Sequence, residues 1–253
     1  MVETFDCMIK SPSLQSSWSE CDASKLLLRS SRSLSQRTIR YDVMLLAQDQ
    51  ALLLSLPTLA VPGIMVGHRL ISVGDEHALL PVEAKAFERS AVQVRRASGA
   101  ARIVARTLLR QLGHDMAPVP KSPGGEPIWP NGVLGSLAHD YRVAVAAVGS
   151  SEDLEGVGID VEPAENLSAD LLQLVTTSRE RARIDSDPYQ GRLFFVAKEA
   201  AYKAVYPLDH VLLDHHDIEV DLANQQAIVR NGRIVELRFC ISSHLVALAF
   251  ILS

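Results

Sequence analysis

Hydrophobic positions along this chain switch between a period of two and a helical period, and the switches mark its elements. Over residues 64–73, His68, Leu70 and Ser72 alternate with Arg69, Ile71 and Val73, which predicts a strand. A helical pattern follows over 81–112, with Pro81 suited to a first turn and Gly113 to a C-terminal cap. Ser98-Gly99 interrupts it, so two helices are expected. Residues 133–139 and 142–148 read as a strand pair joined by Asp140-Tyr141. Next comes an apolar run over 156–163, predicted to be extended, then helical stretches over 168–175 and 178–184. A stronger helix is predicted from about 190 to 205. Strands follow over 218–222, 227–229, 234–241 and 244–252, with a hairpin turn at Asn231-Gly232.

The start of the chain has neither period. Serine dominates over 11–35, aromatics are few, and Arg29 and Arg32 flank a serine pair. Such a segment buries too little apolar area to offset its ordering entropy, so residues 1–40 are expected to be a loose tail. Glu3, Asp6, Glu20 and Asp22 argue against a transit peptide. Residues 45–56 are expected to add one helix packed on the body. The expected division is a tail over 1–40, an N-terminal half over 41–153 and a C-terminal half over 154–253.

Composition narrows the class. The chain has 253 residues, 47% of them hydrophobic, enough for one large or two small cores. A formal net charge of −5 argues against general nucleic-acid binding. Cys7, Cys21 and Cys240 are scattered without a CxxC pair, which suits a reduced cytoplasmic protein with no disulfide framework or zinc site. The richest apolar stretch, 44–65, is broken by Asp49, Pro57 and Pro62, so no bilayer-spanning run of about 20 residues is expected.

Four features carry candidate chemistry. In an extended run, Asp160 and Glu162 share one face while Val157, Ile159 and Val161 take the other. Paired carboxylates repel unless a cation neutralises them, and a hard ion such as Mg2+ suits oxygen donors. A solvated strand rim is the plainer reading of the same pair. Arg102, Arg106 and Arg110 are four apart on one helix face, either a solvated stripe or an anion site. His139 ends a strand, as an ordinary edge residue or as a ligand group. Glu199 and Lys203 lie one turn apart, with Lys198 and Tyr202 on an adjacent face; alone they are a helix ion pair worth about 0.3 kcal/mol.

Three signals stand in fixed order: Gly135-Ser136-Leu137-Ala138-His139, then Gly158-Ile159-Asp160-Val161-Glu162-Pro163, then Phe195-Val196-Ala197-Lys198-Glu199-Ala200-Ala201-Tyr202-Lys203. Together with the lead-in Pro127-Ile128-Trp129-Pro130-Asn131-Gly132, this set resembles the 4'-phosphopantetheinyl transferases. It is most similar to the larger single-chain class that includes the enterobactin synthase component D family and serves siderophore, nonribosomal-peptide and polyketide synthases. The resemblance runs from about Pro81 to the C-terminus.

What the resemblance implies is specific. The fold would be α+β, a pseudo-twofold pair of α/β halves, each a small antiparallel sheet with a long helix. Coenzyme A would bind between the halves of a monomer, with Mg2+ as cofactor and apo acyl or peptidyl carrier protein as partner. Asp160 and Glu162 would be metal ligands, with Glu199 near the metal and the candidate base. Lys203 and Lys198 would face the diphosphate. His139 with Ser136 would lie near the 3'-phosphate and adenosine, with Arg102, and more weakly Arg96, at coenzyme A phosphate. The reaction would transfer the 4'-phosphopantetheine arm and release adenosine 3',5'-bisphosphate. An Mg2+-dependent phosphohydrolase acting on coenzyme A-like diphosphates is the alternative, and a noncatalytic carrier-binding protein is a third.

The chain departs from the family pattern in three places. Ala101 stands where a glycine often precedes the arginine. Gly124-Gly125 stands where a basic residue is common, with Lys121 as a replacement, and Val161 leaves no third acid between Asp160 and Glu162.

Overall fold

The computed structural model describes residues 50–253. The serine-rich stretch 1–40 and the first half of the helix expected over 45–56 lie outside these residues; residues 50–55 are helical.

The first half is built from β1 (Ile64–Leu70), a one-turn helix α1 (Pro81–Ala84), the long helix α2 (Val92–Gln111), β2 (Val133–His139) and β3 (Val143–Ser150). The second holds β4 (Leu154–Pro163), the short helices α3 (Ala169–Val175) and α4 (Ser178–Arg181), and the long helix α5 (Gln190–Asp209). The strands β5 (Ile218–Asp221), β6 (Gln226–Val229), β7 (Ile234–Ile241) and β8 (His244–Leu252) complete it. All pairings are antiparallel, in the orders β1-β3-β2 and β4-β8-β7-β6-β5. The order strand, long helix, hairpin therefore occurs twice. In each half the hairpin's second strand lies beside the first strand, and β5-β6 extends the second sheet at its far edge.

The layers follow from the alternation. Val143, Val145 and Ala147 of β3 meet Val157, Ile159 and Val161 of β4 and Val246, Leu248 and Phe250 of β8, so the two sheets share a core. On the other face of the first sheet, Val104, Ala105, Leu108 and Leu109 of α2 cover Val133, Ala146 and Val148. On the far face of the second sheet, α5 packs Val196, Ala197, Ala200 and Ala204 over Val220, Leu237, Leu245 and Ala247. The result is helix, sheet, sheet, helix, with strands such as β3 covered on both sides. β2 and β4 end their sheets side by side, where Ile159 N–H donates to Ser136 Oγ at 3.0 Å.

Several element ends shift by a few residues from the sequence reading: β1 stops at Leu70, α4 at Arg181, and α5 runs on to Asp209; one difference is larger. Helix α2 runs unbroken through Ser98-Gly99, and the break falls earlier, between the turn Lys85–Phe87 and Val92. Gly99 is there for space: a Cβ on it would lie 1.9 Å from the Asp75 carbonyl oxygen.

Candidate active site

The strand β4 presents one face to α5, and every second residue on it has a task. Gly156 and Gly158 come first. A Cβ on Gly158 would lie 2.0 Å from Ala200 O, and one on Gly156 2.3 Å from Ala204 O, so the helix can rest on bare backbone. Asp160 and Glu162 continue the same face, while Val157, Ile159 and Val161 enter the core between the sheets. The close approach brings helix side chains onto the carboxylates. Lys203 Nζ donates to Asp160 Oδ1 at 2.7 Å, and Arg192 Nη1 to Glu162 Oε2 at 2.8 Å. Glu199 Oε1 lies 3.0 Å from His215 Nε2.

Asp160 is 8% exposed. Burial pushes its carboxyl up to about 7; Lys203 opposes that rise, and the charges of Glu199 and Glu162 add to it. The three carboxylates thus crowd negative charge into one low-dielectric region. Their oxygens are the donors that Mg2+ prefers, and a divalent cation would relieve the repulsion, so the donor set fits such an ion. Among the described residues, however, no three His, Cys, Asp or Glu side chains converge on one point. Each acid is instead turned toward a basic partner of the protein.

Beside Lys203 opens a small cleft, lined among others by Phe87, Arg102, Lys121, His139 and Lys203. The Arg102 guanidinium sits 4.9 Å from the centre of the Phe87 ring and Lys121 Nζ 5.9 Å from it. Arg102 is also fixed by donating to Val119 O at 2.8 Å and Ser98 O at 3.2 Å. Helix α2, the end of β2 and the loop carrying Lys121 and Pro127 supply most of the lining, and Lys203 is the one lining residue from α5, so both halves of the chain contribute to the cleft.

The residues singled out in the sequence separate into two groups. Arg102, His139 and Lys203 line the cleft, and Asp160, Glu162 and Glu199 lie along the β4–α5 contact. Lys198, Ser136 and Arg96 are placed elsewhere. Lys198 is 1% exposed, donates to Val175 O at 2.9 Å and His215 O at 2.6 Å, and pairs with Glu180 at 2.7 Å. Burial lowers its pKa and Glu180 opposes that fall. Its ammonium therefore clamps α3, α4 and the turn before β5 to α5. Ser136 is buried with its Oγ accepting from Ile159.

Arg96 forms a forked pair with Glu76 at 2.8 and 3.1 Å and is not among the residues lining the cleft. That pairing holds Glu76 down at about 2. The arginine face of α2 divides similarly: Arg106 binds Glu83 and Ala78 O, Arg110 meets Asp115, and Arg102 alone of the three lines the cleft. Phe87, Arg192 and His215 were not anticipated. Lys121, offered as a substitute for the missing basic residue, does line the cleft.

Comparison with known proteins agrees with this arrangement half by half. Residues 82–149 match the 4'-phosphopantetheinyl transferase N-terminal domain, and residues 156–249 match the 4'-phosphopantetheinyl transferase superfamily, together well over half of the chain. The chain belongs to the 4'-phosphopantetheinyl transferase superfamily. Over 145 residues it is 37% identical to 4'-phosphopantetheinyl transferase PptT of Mycobacterium tuberculosis, covering 56% of this chain and 64% of that protein. It is 36% identical over 150 residues to 4'-phosphopantetheinyl transferase Svp of Streptomyces mobaraensis, covering 56% and 60%. Enterobactin synthase component D of Salmonella typhimurium is 32% identical over 151 residues, covering 54% and 62%. The matches thus span less than two thirds of the length of each of these relatives.

Proposed function

We propose that the protein transfers the 4'-phosphopantetheine arm of coenzyme A to a serine hydroxyl of an apo acyl or peptidyl carrier protein. The observation that carries this reading is the cleft in which Arg102, Lys121, His139 and Lys203 converge beside the carboxylates of β4 and α5. A substrate whose one ribose carries a 3'-phosphate and, on its 5' carbon, the diphosphate to be cleaved needs cations for the first and, beside them, an acidic, ion-binding strand for the second. Both are present. The names of the relatives support the same transfer, and the likeness to enterobactin synthase component D supports a carrier protein of assembly-line type.

Asp160 and Glu162, with Glu199 near them, are the residues that would hold Mg2+, which when bound neutralises charge on diphosphate oxygens. Arg102, His139 and Lys121 hold the nucleotide end through its 3'-phosphate. Lys203 meets the charge that develops on the leaving phosphate. Glu199 accepts the proton of the carrier serine, directly or through a water, a role worth about 10²–10⁴-fold. The serine oxygen bonds to the phosphorus nearer the pantetheine, the bridging P–O bond breaks, and adenosine 3',5'-bisphosphate leaves with its electron pair. Since Arg102, Lys121 and His139 come from one half and Lys203 from the other, one copy completes the cleft, which supports a monomer. A net charge of −5 and the absence, among the described residues, of a helix long and apolar enough to cross a membrane favour neither nucleic acid nor lipid as partner. The buried Cys240 thiol accords with a reducing, cytoplasmic setting.

The test is incubation with coenzyme A, Mg2+ and a panel of apo carrier domains, followed by intact mass. One carrier should gain a single phosphopantetheine arm, and only with Mg2+ present. Release of the bisphosphate at the same rate without any carrier would instead establish the phosphohydrolase.

A further inference from the structure

The most firmly built feature near the carboxylates is the support behind Glu199. His215 Nε2 lies 3.0 Å from Glu199 Oε1. An ionised carboxylate offers acceptors only, so the ring nitrogen carries the proton and donates. The imidazole is 8% exposed and stacks on Phe195, with ring centres 5.6 Å apart and planes 23° from parallel.

Its backbone is fixed from two directions. The His215 carbonyl accepts from Lys198 Nζ at 2.6 Å, and Lys198 is held in turn by Glu180 at 2.7 Å. The turn His215–Asp217 is closed by reciprocal bonds. Asp214 Oδ1 accepts from His216 N–H at 2.7 Å and Asp217 N–H at 3.2 Å, and Asp217 Oδ2 accepts from Asp214 N–H at 3.0 Å. The ring therefore has one orientation, and that orientation aims Nε2 at Glu199.

We propose that His215 is the positioning residue for Glu199: it fixes Oε1 so that the other carboxylate oxygen is the one presented to the reacting hydroxyl. This rests on Glu199 acting as the base in the proposed transfer. A glutamate on a helix has three side-chain torsions, and an unheld carboxylate spends much of its time misaligned. A donor fixed by packing removes that loss before the substrate arrives. The contribution belongs to the chemical step and leaves coenzyme A binding alone, because His215 is not among the residues lining the cleft.

His215→Phe keeps the stack on Phe195 and removes the donor; His215→Gln restores an N–H at nearly the same place. The phenylalanine variant should lose about 10- to 100-fold in kcat with KM for coenzyme A unchanged, and the glutamine variant should recover most of that loss. Independently of activity, imidazole 15N–1H spectra of the wild type should show a slowly exchanging Nε2 proton, assigned by its absence in His215→Gln and displaced in Glu199→Ala. Wild-type kcat in His215→Phe, a glutamine variant no better than the phenylalanine one, or an Nε2 proton indifferent to Glu199→Ala would each overturn the proposal. A wild-type chain that loads no carrier protein overturns the transfer reading instead, and the spectra alone then decide whether His215 holds Glu199.

Discussion

Lys203 Nζ stands 2.7 Å from Asp160 Oδ1, and the same lysine lines the basic cleft. One contact thus joins the acidic strand to the wall that faces the substrate, and it sets a pH dependence. Burial, with repulsion from Glu199 and Glu162, pushes Asp160 up to about 7 against the pull of Lys203. An unfolded aspartate titrates at about 3.9. Between those values the folded chain holds a proton that the unfolded chain has released, so ionising Asp160 costs stability as pH rises through the window. Asp160→Asn cannot ionise. Its stability relative to wild type should therefore climb from about pH 4 to about pH 7, by at most about 4 kcal/mol, while transfer is nearly abolished. Urea melts of both proteins across this range check the trend; a constant difference would mean that Asp160 titrates normally in the folded chain.

Gly158→Ala should be among the most damaging small changes in the chain. The new methyl would sit 2.0 Å from the Ala200 carbonyl oxygen and 2.7 Å from Ala204 N, both helix backbone. The whole of α5 must retreat, at a cost of about 3 kcal/mol, the upper end for overpacking. Gly124→Ala is the control, since its methyl would meet the Glu126 carboxylate at 2.6 Å, the movable end of a side chain. Thermal melts should separate the two variants clearly.

The same glycines explain how much the sequence disclosed. The period of two placed Asp160 and Glu162 on one face because β4 is covered on both sides, so register is strongly specified. The strand Val133–His139 was legible to the residue for a similar reason. Gly99 misled because its role is tertiary: nothing local announces that Asp75 O will press on that turn. Lys198 was legible in principle. Five residues from Lys203, it lies about 140° around the helix, which turns it away from the cleft. Arg192 and His215 carry no fixed spacing to Glu162 and Glu199, so only the folded chain could reveal those pairs.

Lys198→Ala should therefore behave as a stability variant. It leaves the Glu180 carboxylate, 1% exposed, without its ammonium, and it frees the carbonyls of Val175 and His215. Losing one partner of such a pair costs about 3 kcal/mol or more. The melting temperature should drop markedly, while the fraction that remains folded binds coenzyme A as wild type does. A large rise in the dissociation constant without loss of stability would instead put Lys198 at the diphosphate.

Arg102 tests the other end of the cleft. It is 5% exposed, sits over Phe87, and is the arginine of the α2 face that reaches the cleft, with His139 and Lys121 also in the lining. On the proposed reading its partner is the 3'-phosphate of coenzyme A, a dianion whose bond to a guanidinium is worth about 1.5–3 kcal/mol. Arg102→Ala should then weaken coenzyme A binding by about 10- to 100-fold. It should hardly change the binding of 3'-dephospho-coenzyme A, which lacks that group and is already weak in the wild type. The variant also gives up bonds to Val119 O and Ser98 O, so it will melt earlier. That loss affects both ligands alike and cancels in the ratio. Calorimetric titration of each ligand into each protein gives the ratio directly. Equal losses for the two ligands would remove Arg102 from the 3'-phosphate and leave Lys121 and His139 as the groups that hold it.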